Sequence, residues 1–462
     1  MSTSNLHKLA KEQFVSDLGG SSTEEIIMIM TICIPIYFTT RKIQENILFN
    51  FVLHFIIPLL MVTMYNDYKL LLYIFAFAPL FFMSSKPNQK NNKNTSSGNK
   101  KKKLNYLTAY RSHMLIMTGI AILAVDFKVF PRKLGKVETW GTSLMDLGVG
   151  SFIFSNGIVS RPKPKKEIEN ETGTNKNKKN SKASCIFSKL ILRKSNILFV
   201  LGLLRLFFVK NLEYQEHLTE YGKHWNFFIT LGLLPLTYDF ILVPLIETTH
   251  INRGILGFLM CAALELWLNL DSRVLKYLIN AERVGIFGNN REGIYSFLGY
   301  VGIYLMGQEV GSSLILPVEE NKNLRKNFLG RYKVDDLQGL IGHALLIWAL
   351  NNSILQLDKF YISRRFANLP YVLWVVSYNL GFLAFYCFVD RITNIEDTDF
   401  ILECINNNGL ILFLVANVST GLVNISINTL SCNTAQSIAI LISYCGFIFI
   451  SALVLNKYQI RI

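Results

Sequence analysis

Asp126 and Lys136 stand ten positions apart in LAVDFKVFPRKLGKVETW, with Lys128, Arg132 and Lys133 between them. Asp126 closes the apolar run HMLIMTGIAILAVD, which places its carboxylate where a helix leaves the membrane. Partial desolvation at such a boundary raises the pKa of a carboxyl group, and neighbouring cations lower it. The balance can leave a carboxylate basic enough to take a proton from a hydroxyl, which is general-base chemistry. A plainer role fits the same residues, with Asp126 capping a loop and the cations contacting lipid headgroups. Spacing alone leaves both readings open. Asp146, in TSLMDLGVG on the next apolar segment, is a second candidate carboxylate, and Gly148 and Gly150 beside it allow close helix packing or approach of a ligand.

Other polar residues interrupt apolar runs. Arg205, Asp239, Glu265 and His343 are expensive in lipid, so they are expected to face a bundle interior, with Arg205 and Glu265 able to pair. His54 and His113 can activate a nucleophile, although a lone histidine in a span more often makes an interhelical contact. ANVSTGLVN, residues 416–424, reads as polar packing between helices. No nucleophile elbow, zinc-protease motif, phosphate loop or dinucleotide fingerprint occurs in a fitting context. The seven cysteines lie mostly in or beside apolar runs without CxxC spacing, which argues for small core residues and against a metal site or a disulfide scaffold.

The elements that must position these groups are transmembrane helices. Of 462 residues, 51% are apolar and 33 are Phe, too many for a water-facing surface. The apolar residues cluster in runs of about 17 to 25, enough to cross a hydrocarbon core of roughly 30 Å as helices. Such runs centre near residues 32, 56, 76, 117, 151, 203, 236, 261, 304, 347, 379, 418 and 446, predicting an all-α, polytopic membrane protein of about 13 spans in a single membrane-embedded domain. Residues 1–24 carry Lys8, Lys11, Glu12, Asp17 and Glu24 in place of a cleavable signal, so the first span is expected to target the chain.

Two basic, polar linkers, 84–105 and 161–184, are expected to be disordered. Two spans separate them, so both fall on one side, and their lysines make that side the cytosol. The N-terminus is then non-cytosolic and the C-terminus cytosolic. Of the 47 Lys and Arg, 29 fall in segments that this topology makes cytosolic and 16 in opposite-side segments. The net charge of +15 is thereby explained by linkers facing anionic lipid, with no nucleic-acid partner required. The sequons at Asn94 and Asn170 lie in these cytosolic linkers. On the far side fall four aromatic-rich loops of both charge signs, DFKVFPRKLGKVETW, KNLEYQEHLTEYGKHWN, DSRVLKYLINAERVGIFGNNREG and DKFYISRRFANLP, whose composition suits folding on each other or on a charged ligand.

Several blocks carry a resemblance. KEQFVSDLGGSS, LAVDFKVFPRKLGKVETWGTSLMDLGVGSFIFSNG, LGLLRLFFVKNLEYQEHLTEYGKHWNFFITL, NREGIYSFLGY, SRRFANLPYVLWVVSYN and NNNGLILFLVANVSTGLVN, in order across nearly the whole chain, resemble the PIG-W family of GPI inositol acyltransferases, whose fungal members are called GPI-anchored wall transfer proteins. The two basic linkers are where the sequence departs from that pattern. The resemblance implies about thirteen spans and an endoplasmic-reticulum enzyme that moves a fatty acyl group, typically palmitoyl, from acyl-CoA as co-substrate to the inositol of glucosaminyl-phosphatidylinositol, without a further cofactor or metal. By motif match, Asp126 in LAVDF and Lys136 in LGKVETW take the catalytic positions. Arg364 and Arg365 in SRRFANLP are candidates for the acceptor's phosphate, and His224 and Trp225 for its sugar, with loop-folding ion pairs as the alternative. Two rivals stand beside this reading. A lipid transporter or flippase also needs many spans, but no internal repeat is visible. A histidine-dependent membrane O-acyltransferase needs a buried base, for which His343, with Asn351 eight residues on, is the best candidate.

Overall fold

The structure, a computed structural model, describes residues 13–14, 16, 18–43, 46–82, 104–160, 194–209, 218–270, 272–315, 325–326, 333–357, 359–395 and 397–459. The two basic linkers fall almost wholly outside the described residues. Along the chain the main helices are α1 (Thr23–Lys42), α2 (Ile47–Met61), α3 (Asn66–Phe82), α4 (Asn105–Ala124), α5 (Leu144–Val159), α6 (Lys194–Val209), α7 (Phe227–Thr249), α8 (Arg253–Leu270), α9 (Ser272–Asn280), α10 (Arg291–Val310), α11 (Asp336–Leu355), α12 (Leu369–Thr393), α13 (Phe400–Asn407), α14 (Gly409–Ser426) and α15 (Thr434–Lys457). Among the described residues, the extended pairing is confined to Arg325–Lys326 against Lys333–Val334, antiparallel.

An apolar chain in lipid must satisfy its backbone internally, and helices do so. Their starts are set by short polar side chains just ahead of the apolar runs. Ser22 Oγ accepts from Glu25 N at 3.2 Å, Asn226 Oδ1 from Ile229 N at 3.1 Å and Asp399 Oδ1 from Ile401 N at 3.0 Å. Asn433 and Gln436 form a reciprocal capping box at α15. Proline bends the ladder without ending it: Pro235 lies in α7 just before a π-helical turn at Tyr238–Leu242.

Each of the thirteen apolar centres falls in a helix, but the helices are unequal. Seven, α1, α4, α7, α8, α12, α14 and α15, are long and apolar enough to cross a membrane. The centres at 56 and 76 belong to α2 and α3, which pass the same criterion only together and are bent by 108° at their junction, giving an eighth span or a re-entrant pair. α5, on the centre at 151, is apolar but only 16 residues long. Among the described residues, seven or eight helices thus have spanning length and composition, against the thirteen crossings expected, in a helical polytopic membrane protein.

Two compact units divide the chain. The first holds Glu138–Gly141 and Val149–Ser377, and the second holds Gln13–Val137, Thr142–Gly148 and Tyr378–Ile462, so α5 and α12 contribute residues to both. In the first unit, α10 meets α5 backbone to backbone. A Cβ on Gly307 would lie 2.5 Å from the Phe154 carbonyl oxygen, and one on Gly157 2.4 Å from that of Tyr304, so only glycine permits this approach. In the second unit α4 packs against α13 and α14, with 14 of its residues between Tyr106 and Leu123 buried and Asp126 just beyond its end.

Candidate active site

Asp126 sits two residues past the C-terminus of α4, where the last carbonyls of a helix lack partners. Those of Ala121, Leu123 and Ala124 are met by the N–H groups of Val125, Asp126 and Phe127, and Arg132 serves the carbonyls just beyond them. Its Nη2 donates to the carbonyls of Val125 at 2.9 Å, Phe127 at 3.0 Å and Phe130 at 2.9 Å, and its guanidinium lies 4.0 Å from the Phe14 ring centroid. Burial pushes the Arg132 pKa down to about 10 and the charge of Asp126 works against that shift, so the group stays cationic at neutral pH. Arg132 is thus the hub on which the loop turns back. The half-buried Asp126 accepts at Oδ2 from Asn424 Nδ2, on α14, at 2.7 Å.

The same loop carries the half-buried Lys136, and Asp146 fixes its backbone. Asp146, fully buried in the first turn of α5, accepts at Oδ2 from Val137 N at 3.0 Å and from Ser143 Oγ at 2.6 Å, while its own N–H donates to Ser143 Oγ at 3.1 Å. A carboxylate at a helix N-terminus is also favoured by the helix dipole. The segment ahead of α1 closes the other side of the loop. Ser21 N donates to the Thr142 carbonyl at 2.8 Å and Thr142 Oγ1 to that of Ser21 at 2.6 Å. Gly20, at φ +77°, lies so close that a Cβ there would meet the Thr142 carbonyl oxygen at 2.4 Å, which explains the glycine in SDLGGSS. Asp126, Lys136 and Asp146 therefore share one loop and its two flanking helix ends, all within the second unit.

Further along α4, a small apolar pocket in the second unit is lined among others by Phe55, Ile116, Gly119, Ile120, Phe413 and Ala416. Gly119 precedes Asp126 by about two helical turns. Tyr444 O–H, from α15, donates to the Gly119 carbonyl at 2.8 Å and lies 3.4 Å from that of Ala416.

The remaining candidate residues gather in the first unit. Arg365, 5% exposed, donates through Nη2 to Glu292 Oε1 at 3.1 Å and through Nη1 to Thr139 Oγ1 at 3.2 Å. Arg283 grips the same fully buried carboxylate at 2.6 and 3.0 Å, and Arg291 approaches it at 3.5 Å. Arg364, 4% exposed, reaches Glu220 Oε1 at 3.4 Å and lies over the Tyr221 ring. His224 is exposed, with its backbone N–H on Asn290 Oδ1 at 2.8 Å. Trp225 donates its indole N–H to Thr230 Oγ1 at 2.8 Å and packs on Phe297. This is a cation-rich, aromatic cluster whose two predicted arginines hold loops together through buried ion pairs.

Elsewhere, Glu265 caps α12 by accepting from Leu369 N at 3.0 Å and also binds Asn269 and Asn368, while the Arg205 side chain lies outside the described residues. His343 spends Nδ1 on its own helix, 2.7 Å from the Gly339 carbonyl.

Two groupings escaped the sequence reading. Asn424 looked like helix-packing polarity, and only the fold sets it on Asp126, 298 positions away. His54 and His113 join across helices into a buried chain: Asp399 Oδ2 to His54 Nε2 at 3.2 Å, His54 Nδ1 to His113 Nε2 at 3.0 Å, and Tyr386 O–H to His113 Nδ1 at 2.8 Å. Burial pushes the Asp399 carboxyl up, but His54 beside it and the N–H of Leu402 hold it well below the usual carboxylate range. Among the described residues, no group of three or more His, Cys, Asp or Glu is arranged to hold a metal.

The GWT1 family model matches residues 7–455, from before the segment that closes the Lys136 loop to the last turns of α15. The chain belongs to the GWT1 family. Relatives named GPI-anchored wall transfer protein 1 include those of Saccharomyces cerevisiae, 41% identical over 98% of this chain and 99% of its own length, and Candida glabrata, 42% identical over the same shares. The protein of that name from Candida albicans is 38% identical, again over 98% and 99%. The GWT1 match thus takes in every residue of both clusters described above.

Proposed function

We propose that this chain is an O-acyltransferase of GPI-anchor biosynthesis, moving a fatty acyl group, typically palmitoyl, from acyl-CoA to the inositol hydroxyl of glucosaminyl-phosphatidylinositol. The observation that carries the reading is Asp126 itself, an ionisable group held at the end of a buried helix, on one pinned loop with Lys136. The names of the relatives, which refer to GPI-anchored material, support the pathway.

Asp126 takes the proton of the inositol hydroxyl as its oxygen bonds to the thioester carbonyl carbon. Lys136 stabilises the charge that develops on the carbonyl oxygen. The C–S bond then breaks, and CoA leaves as a thiolate that recovers the proton from Asp126. A base of this kind contributes about 10² to 10⁴ in rate. Thiolate leaves readily, so no covalent acyl-enzyme is needed. Arg364 and Arg365, with His224 and Trp225 in the same unit, are assigned to the acceptor's phosphate and sugar, which requires the arginines to exchange their ion pairs with Glu220 and Glu292 for the phosphate. Sidedness follows the lysine-rich linkers: an endoplasmic-reticulum protein with a luminal N-terminus, a cytosolic C-terminus and Asp126 on the luminal side.

One observation favours a second reading, a histidine base: the buried Asp399–His54 pair has the geometry that orients an imidazole for proton transfer. Acyl transfer from palmitoyl-CoA to glucosaminyl-phosphatidylinositol by the purified protein separates the two. Asp126→Asn is expected to abolish transfer while remaining monodisperse in detergent, and His54→Gln to retain it; the reverse pattern moves the base to His54. Accumulation of an acylated protein from acyl-CoA without acceptor would rule out direct transfer.

A further inference from the structure

We propose that Asn424 is a positioning residue for the general base, holding the Asp126 carboxylate in the orientation that receives the hydroxyl proton. The proposal rests on the reading of Asp126 as that base.

The Asn424 amide makes two contacts from one nitrogen. Nδ2 donates to Asp126 Oδ2 at 2.7 Å and to the Thr420 carbonyl, one turn earlier on α14, at 3.2 Å. Both partners are acceptors, so only the NH₂ end of the amide can face them, and the assignment of its nitrogen follows from chemistry. The bond to Thr420 locks the amide to its own helix, leaving the other N–H aimed at the carboxylate. Two turns below Asn424, Tyr444 ties the helix to α4 through the carbonyls of Gly119 and Ala416, so donor and acceptor ride on elements fixed to each other. An amide is suited to this task because it orients a carboxylate without adding a charge that would quench its basicity.

A donor to the ionised form favours that form. Removing it has two effects that a mere loss of helix packing does not: the carboxylate loses its fixed orientation, and it becomes harder to ionise. Arg132 on the same loop and Tyr444 on α15 also act electrostatically on Asp126, and both are unchanged in the variants that follow.

The experiment is the pH profile of palmitoyl transfer by the full-length purified protein. Asn424→Ala is expected to lower kcat about 10- to 100-fold with KM for both substrates within about twofold, because misorientation acts on the chemical step. Its acidic limb should move to higher pH by roughly one unit. Asn424→Asp keeps the shape but sets a second carboxylate against Asp126, and should move the limb further. Asn417→Ala is the control: Asn417 makes the same bond to its own helix, to the Phe413 carbonyl at 2.7 Å, two turns away, and its limb should stay at the wild-type position. Should Asn424→Ala fail to fold, Asn424→Asp decides alone. A limb that stays at the wild-type pH in the Asn424 variants, whether or not activity falls, reduces Asn424 to helix packing and overturns the proposal. Full activity in Asp126→Asn, by contrast, refutes the reading of the base on which it rests.

Discussion

At the scale of single residues, the loop that carries Asp126 and Lys136 is held by the side chains of Arg132 and Asp146. Arg132→Met removes four charge-assisted bonds to the carbonyls of Val125, Phe127 and Phe130 just past α4, and is expected to cost about 2 kcal/mol of stability, measured as a lower thermal transition in detergent. Asp146→Ala unpins Val137, the neighbour of Lys136. Its expected effect is a fall in kcat of about 10- to 100-fold with KM nearly unchanged, checked by steady-state kinetics. A large rise in acceptor KM instead would make Asp146 a substrate ligand. The sequence singled out Asp126 and Asp146 as candidates because a carboxylate in or beside an apolar run is costly and therefore conspicuous, and Lys136 through its resemblance to a family motif. It could not identify the partner of Asp126, since an Asn in an apolar helix makes the same impression wherever it points.

At the scale of elements, helix contacts depend on missing atoms and on buried pairs. Gly307→Val inserts a side chain where the Phe154 carbonyl lies 2.5 Å from any Cβ, and should lower the thermal transition by an amount equivalent to about 1–3 kcal/mol, or prevent folding. The same change at Gly342, where nothing lies within 4 Å, should be tolerated. The Asp399–His54 pair gives a pH-dependent prediction. A carboxyl whose pKa is depressed by folding contributes stability above its unfolded pKa, about 3.9, and loses it as pH falls through the folded value. Asp399→Asn should therefore destabilise the protein by about 3 kcal/mol at pH 7, with the gap to wild type closing below roughly pH 4. An equal gap at all pH values would show that the carboxylate charge is not what stabilises this pair. The positions of the apolar runs were legible in the sequence, because hydropathy is local. The 108° bend between α2 and α3 was not, because an apolar run reads alike whether it crosses the membrane or turns back.

At the scale of the whole molecule, the charge distribution predicts sidedness. The sequons at Asn94 and Asn170 should stay unmodified when the protein is made in microsomes, since both lie in linkers assigned to the cytosol. A mobility shift sensitive to endoglycosidase at either would invert the topology and place Asp126 in the cytosol. The lysine-rich composition of those linkers accounts for much of the net charge of +15 without any acidic macromolecular partner.

What the sequence by itself determined is the class of molecule and the closeness of Asp126 to Lys136. Long apolar runs can only be helices in lipid, and an aspartate and a lysine on one short loop stay together however the rest folds. Tertiary structure decided what sequence separation hides. It set Asn424 on Asp126, joined His54, His113, Tyr386 and Asp399 into one chain, and committed Arg365 to Glu292, because such partners are chosen by helix packing and by the cost of leaving a buried polar group unpaired. Neither packing nor that cost leaves a periodic mark along the chain.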